Sequence, residues 1–131
     1  MARILIIDDD KFAREAAQIL LRAKGYDVAV AENGKSGIAA VRAESFDVAI
    51  VDLFMPDMDG LNVMQAIRKL NPNMPLIAAS GFMFASAPPQ MPGFDDMAAD
   101  SGASLTLYKP YRPHEVIRAV EQALQQASQN S

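Results

Sequence analysis

The chain contains no cysteine, so it offers neither a disulfide framework nor a thiolate metal site. Its single histidine, His114, lies near the start of the last helical stretch, where a solvated surface role is expected rather than catalysis. Long hydrophobic runs are missing too: the longest apolar stretches have the length of strands, well short of the ~20 residues that cross a bilayer. The N-terminus meets three aspartates before a signal peptide's apolar region could be completed. There is no surplus of positive charge, because 12 Lys and Arg face 16 Asp and Glu for a net charge of −4. Direct contact with nucleic acid or an anionic membrane lacks its electrostatic footprint. A cytoplasmic protein is expected.

What remains is an ordinary globular composition, half hydrophobic and 21% charged, over 131 residues. That length suits one domain and leaves no room for a second. The domain is expected over residues 1–127, with residues 128–131 as a short polar tail. No repeat of fixed period and no low-complexity linker interrupts it.

The stretch Val48-Ala49-Ile50-Val51-Asp52 delivers one carboxylate at the end of an apolar run. Small and β-branched residues without polar alternation describe a strand buried on both faces, as in a parallel sheet covered by helices. Arg3 to Ile7, Tyr26 to Ala31, Pro75 to Ala79 and Ser104 to Tyr108 read as four further strands, the second less apolar and suited to an edge. Between them, Lys11 to Lys24 has apolar residues at Phe12, Ala16, Ile19, Leu20 and Ala23, with Asp10 as N-cap and Gly25 past the end. A short helix around Ile38 and Val41 follows the Asn33-Gly34 turn. The next repeats Leu61, Met64, Ile67 and Leu70 and stops before Pro72. A short helix is expected near Phe94 to Ser101, and a last one from Pro113 with Val116, Ile117, Val120 and Leu124 inward. Strands alternating with helices give right-handed βαβ units, hence an α/β fold with a doubly wound parallel sheet.

In such sheets the ligand site lies beyond the C-terminal strand ends. Those ends carry Asp8 and Asp9, Asp52, Ser80 and Lys109. Singly, each has a plainer role: the aspartates cap a helix, Ser80 makes a turn, and Lys109 is a surface lysine. Together they converge from four strands. Carboxylates about 4 Å apart repel by roughly 4 kcal/mol per pair at an effective dielectric near 20. An oxygen-only donor set of this kind calls for a hard divalent cation, and Mg²⁺ is expected. A carboxylate beside such a cation, with a lysine and a hydroxyl opposite, is arranged to take up a phosphoryl group, Asp52 being the nucleophile.

These residues resemble the receiver domain of bacterial response regulators in two-component signalling. The resemblance rests on Ile6-Ile7-Asp8-Asp9-Asp10, on Val51-Asp52-Leu53-Phe54-Met55-Pro56-Asp57-Met58-Asp59-Gly60, on Ser80-Gly81 and on Lys109-Pro110-Tyr111. It implies a five-stranded, flavodoxin-like sheet of order 2-1-3-4-5 and a stand-alone receiver. It implies phosphorylation of Asp52 by a histidine kinase or histidine phosphotransfer protein, catalysed by the receiver itself rather than by a conventional enzyme. Mg²⁺ would be held by Asp9, Asp52 and the backbone carbonyl of Phe54, with Asp8 acting through water. Ser80 and Lys109 would meet the phosphoryl oxygens. An unknown downstream protein would take the signal.

Where the family often has an aromatic residue three positions before the lysine, this chain has Thr106, with Tyr108 nearby; these and Phe82 form the expected switch or partner face. Phe54 and Phe82 flank the expected acyl phosphate. The proline-rich segment after Ser80 holds Phe82, Met83, Phe84, Met91, Phe94 and Met97, which suit either a partner surface or the domain's own core. Two rivals stand beside the receiver: a phosphorylation-independent interaction module on the same fold, and an aspartyl-phosphate hydrolase. The hydrolase would place its nucleophile after strand one and would need a cap domain.

Overall fold

The apolar runs form strands and the periodic segments form helices. The computed structural model describes residues 2–53, 60–80, 103–108 and 112–130. Along the chain these give β1 (Arg3–Ile7), α1 (Lys11–Ala23), β2 (Asp27–Ala31), α2 (Gly34–Ala43), β3 (Val48–Asp52), α3 (Gly60–Leu70), β4 (Leu76–Ser80), β5 (Ala103–Tyr108) and α4 (Pro113–Asn130). The strands make one five-stranded sheet of order β2-β1-β3-β4-β5. Every neighbouring pair is parallel. This is the doubly wound order that the resemblance implied, with β2 at an edge. The expected helix at Phe94 to Ser101 lies outside the described residues.

Period-two alternation splits the strand side chains between two cores. Leu5, Ile7, Ala49, Val51, Leu76 and Ala78 join Val63, Met64 and Ile67 of α3 on one face. On the other face Ile4, Ile6, Val48, Ile50, Ile77 and Ala79 meet Ala17 and Leu21 of α1 and Val116, Ala119, Val120 and Ala123 of α4. All five residues of β3 are buried, which follows from its central place between β1 and β4. At the opposite end of the sheet from the acidic cluster, Arg3 ties three segments together. Its guanidinium meets Asp27 at 2.8 Å and Glu44 at 3.1 Å and lies over the Phe46 ring, while its backbone N–H donates to Asp47.

The inward face of α1 differs from the one its sequence predicts. Ala17 and Leu21 are buried, whereas Phe12 is 82% and Ile19 69% exposed, and Ala16 and Ala23 face solvent with them. The helix carries two apolar stripes. At about 100° per residue, Ile19 lies some 160–200° around the helix from Ala17 and Leu21, so only one stripe can face the sheet. The periodicity shows that a stripe is apolar, not that it docks. On α3, Met64 and Ile67 are buried as expected and Leu61 is half-buried, but Leu70 ends the helix 43% exposed while Val63 is buried. The last helix buries Val116 and Val120 as expected and adds Ala119 and Ala123, small residues that allow close approach to the sheet.

Candidate functional site

Three aspartates meet at the C-terminal end of the central strands. Asp52 ends β3, and Asp8 and Asp9 follow β1, its hydrogen-bonded neighbour in the sheet. Carboxylate oxygens of Asp8, Asp9 and Asp52 all lie within 4.8 Å of one another. Asp8 is only 2% and Asp52 3% exposed, while Asp9 faces solvent.

The loop that presents them is ordered by its own backbone. Asp8 donates its N–H to the Ala31 carbonyl at 3.1 Å, which extends the β1–β2 pairing by one residue. The Asp8 carboxylate accepts the Asp10 N–H at 2.9 Å. Asp10 in turn caps α1, accepting from the N–H of Phe12 at 3.0 Å and of Ala13 at 3.5 Å. The acidic triplet therefore divides its work: Asp10 serves the helix as its sequence position predicts, and Asp8 and Asp9 turn toward Asp52.

Two residues that sequence analysis did not single out for the site also shape it. Arg14 donates from Nη1 to the Asp8 carbonyl oxygen at 2.8 Å, holding the β1–α1 loop from the first turn of the helix. Its signal was a basic residue in the first turn of a helix, where the dipole disfavours one. Gly60 donates its N–H to the Leu53 carbonyl at 3.0 Å, and a Cβ there would overlap the Leu53 backbone and the Asp52 carbonyl oxygen. The start of α3 thus packs directly on the strand end that carries Asp52. Leu53 itself donates to the Ala79 carbonyl at 2.9 Å, continuing the β3–β4 ladder past Asp52.

On the far side, Ser80 ends β4 in register with Tyr108, the last residue of β5. Lys109 follows Tyr108 in the chain; it lies outside the described residues, as do Phe54 and Phe82. Thr106 is half-buried in β5, paired with Ala78 two residues short of that end. The described residues therefore unite Asp8, Asp9 and Asp52 and align the backbones of Ser80 and Tyr108 at the same end of the sheet. Among the described residues, no helix is long and apolar enough to cross a membrane.

Comparison with known proteins gives a consistent picture. The family model described as the response regulator receiver domain matches residues 4–121. The transcriptional regulatory protein GlrR of Escherichia coli is 31% identical over 127 residues, covering 97% of this chain but 27% of that protein. The DNA-binding response regulator MtrA of Mycobacterium leprae is 32% identical over 123 residues, covering 93% of this chain and 51% of that protein. The chain thus spans between 18% and 51% of the length of such curated relatives. Among solved structures, a CheY-like receiver domain protein from Methanospirillum hungatei superposes with a TM-score of 0.89 at 26% identity, covering 100% of this chain and 99% of that one. Chemotaxis protein CheY4 of Vibrio cholerae gives 0.84 at 26% identity, covering 95% and 99%.

Proposed function

The chain belongs to the response regulator receiver domain family, and on that footing we propose that it accepts a phosphoryl group on Asp52 and signals through a further protein. The donor is a phosphohistidine on a histidine kinase or a histidine phosphotransfer protein. The observation that carries this reading is the convergence of Asp8, Asp9 and Asp52 within 4.8 Å, two of them buried, at the C-terminal mouth of the sheet.

The donor set fits Mg²⁺, since it is made of carboxylates alone, with one exposed member that leaves an approach from solvent. Asp9, Asp52 and the Phe54 carbonyl would hold the ion, with Asp8 acting through water; when bound, it supplies positive charge beside the phosphoryl oxygens. The remaining work belongs to the chain. An Asp52 carboxylate oxygen attacks phosphorus, an O–P bond forms, and the P–N bond to the donor imidazole breaks, with the leaving nitrogen taking a proton from solvent. Ser80 donates its hydroxyl hydrogen to one phosphoryl oxygen, and Lys109 sets its ammonium against another. Thr106, Tyr108 and Phe82 form the face through which the modified state is passed on.

The test is the intact mass of the protein after incubation with acetyl phosphate, with and without Mg²⁺, and with a phosphorylated phosphotransfer protein. A single Mg²⁺-dependent phosphoryl adduct on the natural chain, absent in Asp52→Asn, is expected. No adduct from either donor, or an adduct that survives Asp52→Asn, overturns the proposal.

A further inference from the structure

Asp9 is the exposed member of the acidic trio, and the backbone on either side of it aims its carboxylate toward Asp52. A peptide unit is planar, so the two planes that meet at a Cα fix its φ and ψ and with them the direction of its side chain. Each plane flanking Asp9 is held at one atom. The plane between Asp9 and Asp10 is held through the Asp10 N–H, which donates to the Asp8 carboxylate at 2.9 Å. The plane between Asp8 and Asp9 is held through the Asp8 carbonyl oxygen, which accepts from Arg14 Nη1 at 2.8 Å. On the reading that Asp8, Asp9 and Asp52 hold Mg²⁺, we propose that Arg14 is a positioning residue that sets, through the Asp8–Asp9 peptide, how tightly the ion is bound.

The bond has a defined task within the loop. Asp8 is fixed at its amide, since its N–H donates to the Ala31 carbonyl at 3.1 Å. That leaves the φ and ψ of Asp8 to decide where the next peptide plane points, and a swing of that plane carries Asp9 with it. Arg14 stops the swing. It reaches the oxygen from a helix that is itself immobilised, because Asp10 caps the N-terminus and Ala17 and Leu21 are buried against the sheet. Arg14 is half-buried, so its stem is held as well as its tip.

Charge and position predict opposite signs. A guanidinium near the mouth repels a cation, so on charge alone its removal strengthens Mg²⁺ binding. A base in the first turn also opposes the helix dipole. Groups that orient metal ligands, in contrast, are worth about 10- to 100-fold in affinity, so on the positioning account removal weakens binding.

The test is Mg²⁺ binding by the unphosphorylated 131-residue chain, titrated through its amide chemical shifts at constant ionic strength. Arg14→Met keeps the apolar stem and removes both donor and charge, whereas Arg14→Lys keeps a donor and the charge. Arg14→Met is expected to raise the Mg²⁺ dissociation constant about tenfold, and Arg14→Lys to stay within about threefold of the natural chain. In acetyl phosphate labelling, the Mg²⁺ concentration for half-maximal rate should rise by the same factor in Arg14→Met, and the rate should recover at saturating Mg²⁺. Melting in EDTA reads any general loss of stability separately. Mg²⁺ binding that is unchanged or tighter in Arg14→Met overturns the proposal and leaves the Mg²⁺ site standing. So does a labelling defect confined to a phosphorylated phosphotransfer protein as donor, which would make Arg14 a docking residue. A natural chain that binds no Mg²⁺ overturns both the site and the part of Arg14 in it.

Discussion

Gly60 and Gly25 show how two glycines can be required for opposite reasons. Gly25 follows the cap of α1 with φ +95° and open space around its Cα, so any cost of a side chain there is backbone strain. No other described residue has a positive φ. Gly60 needs none of that freedom. It is constrained by the Leu53 backbone and the Asp52 carbonyl pressed against its Cα. Gly25→Ala should cost about 1–2 kcal/mol and leave phosphorylation unchanged. Gly60→Ala should cost about 3 kcal/mol or more, because two backbone segments must part, and should also slow phosphorylation by moving Asp52. Urea denaturation and the rate of acetyl phosphate labelling measure both arms. Equal losses of stability and no change in rate for Gly60→Ala would contradict the packing argument. At this scale the sequence was informative about which carboxylates come together, since a run ending in an acid at a strand terminus is a local signal. It was silent about Gly60 because close backbone approach comes from the crossing of two elements.

Among the elements, α1 is where pattern and packing part company. Its cap and its end follow the sequence: Asp10 accepts from the first-turn amides, and Gly25 takes the left-handed conformation beyond Lys24. Its rotation about its own axis does not. Two stripes of similar apolar content run along it, and the larger side chains, Phe12 and Ile19, belong to the one that faces away from the sheet. Choosing between them needs the position of the sheet beneath, which the helix sequence does not carry. Leu21→Ala should therefore cost roughly 3 kcal/mol, as expected for a fully buried leucine. Ile19→Ala should stay within about 0.5 kcal/mol, since it removes only exposed surface and gains helix propensity. Chemical denaturation at dilute protein separates the two assignments, and a reversed order would return Ile19 to the core.

On the scale of the whole molecule, alternating strands and helices with short connections made the parallel α/β architecture legible from residues alone. The strand order came from the resemblance, because the doubly apolar strands do not name their neighbours and the less apolar β2 was marked only as an edge. That order is what joins the site: β1 and β3 are adjacent, so Asp8 and Asp9 share a single mouth with Asp52 although more than forty residues separate it from them. Folding therefore concentrates negative charge that the unfolded chain keeps apart. At an effective dielectric near 20, unit charges at 4.8 Å repel by roughly 3.5 kcal/mol. A cation that binds only the folded arrangement stabilises it by mass action, about 2.7 kcal/mol when present at a hundred times its dissociation constant. For a domain of this size each kcal/mol moves the melting midpoint by roughly 3–5 °C, so saturating Mg²⁺ should raise it by about 10 °C over EDTA at matched ionic strength. Asp9→Asn should melt higher than the natural chain in EDTA, because it removes one repelling charge at an exposed position, and should lose most of the Mg²⁺ increment. Calorimetry on both proteins, with K⁺ replacing Mg²⁺ as the screening control, distinguishes a site from general screening: an increment that K⁺ reproduces, or that Asp9→Asn retains in full, would mean that the three carboxylates do not act together on the ion.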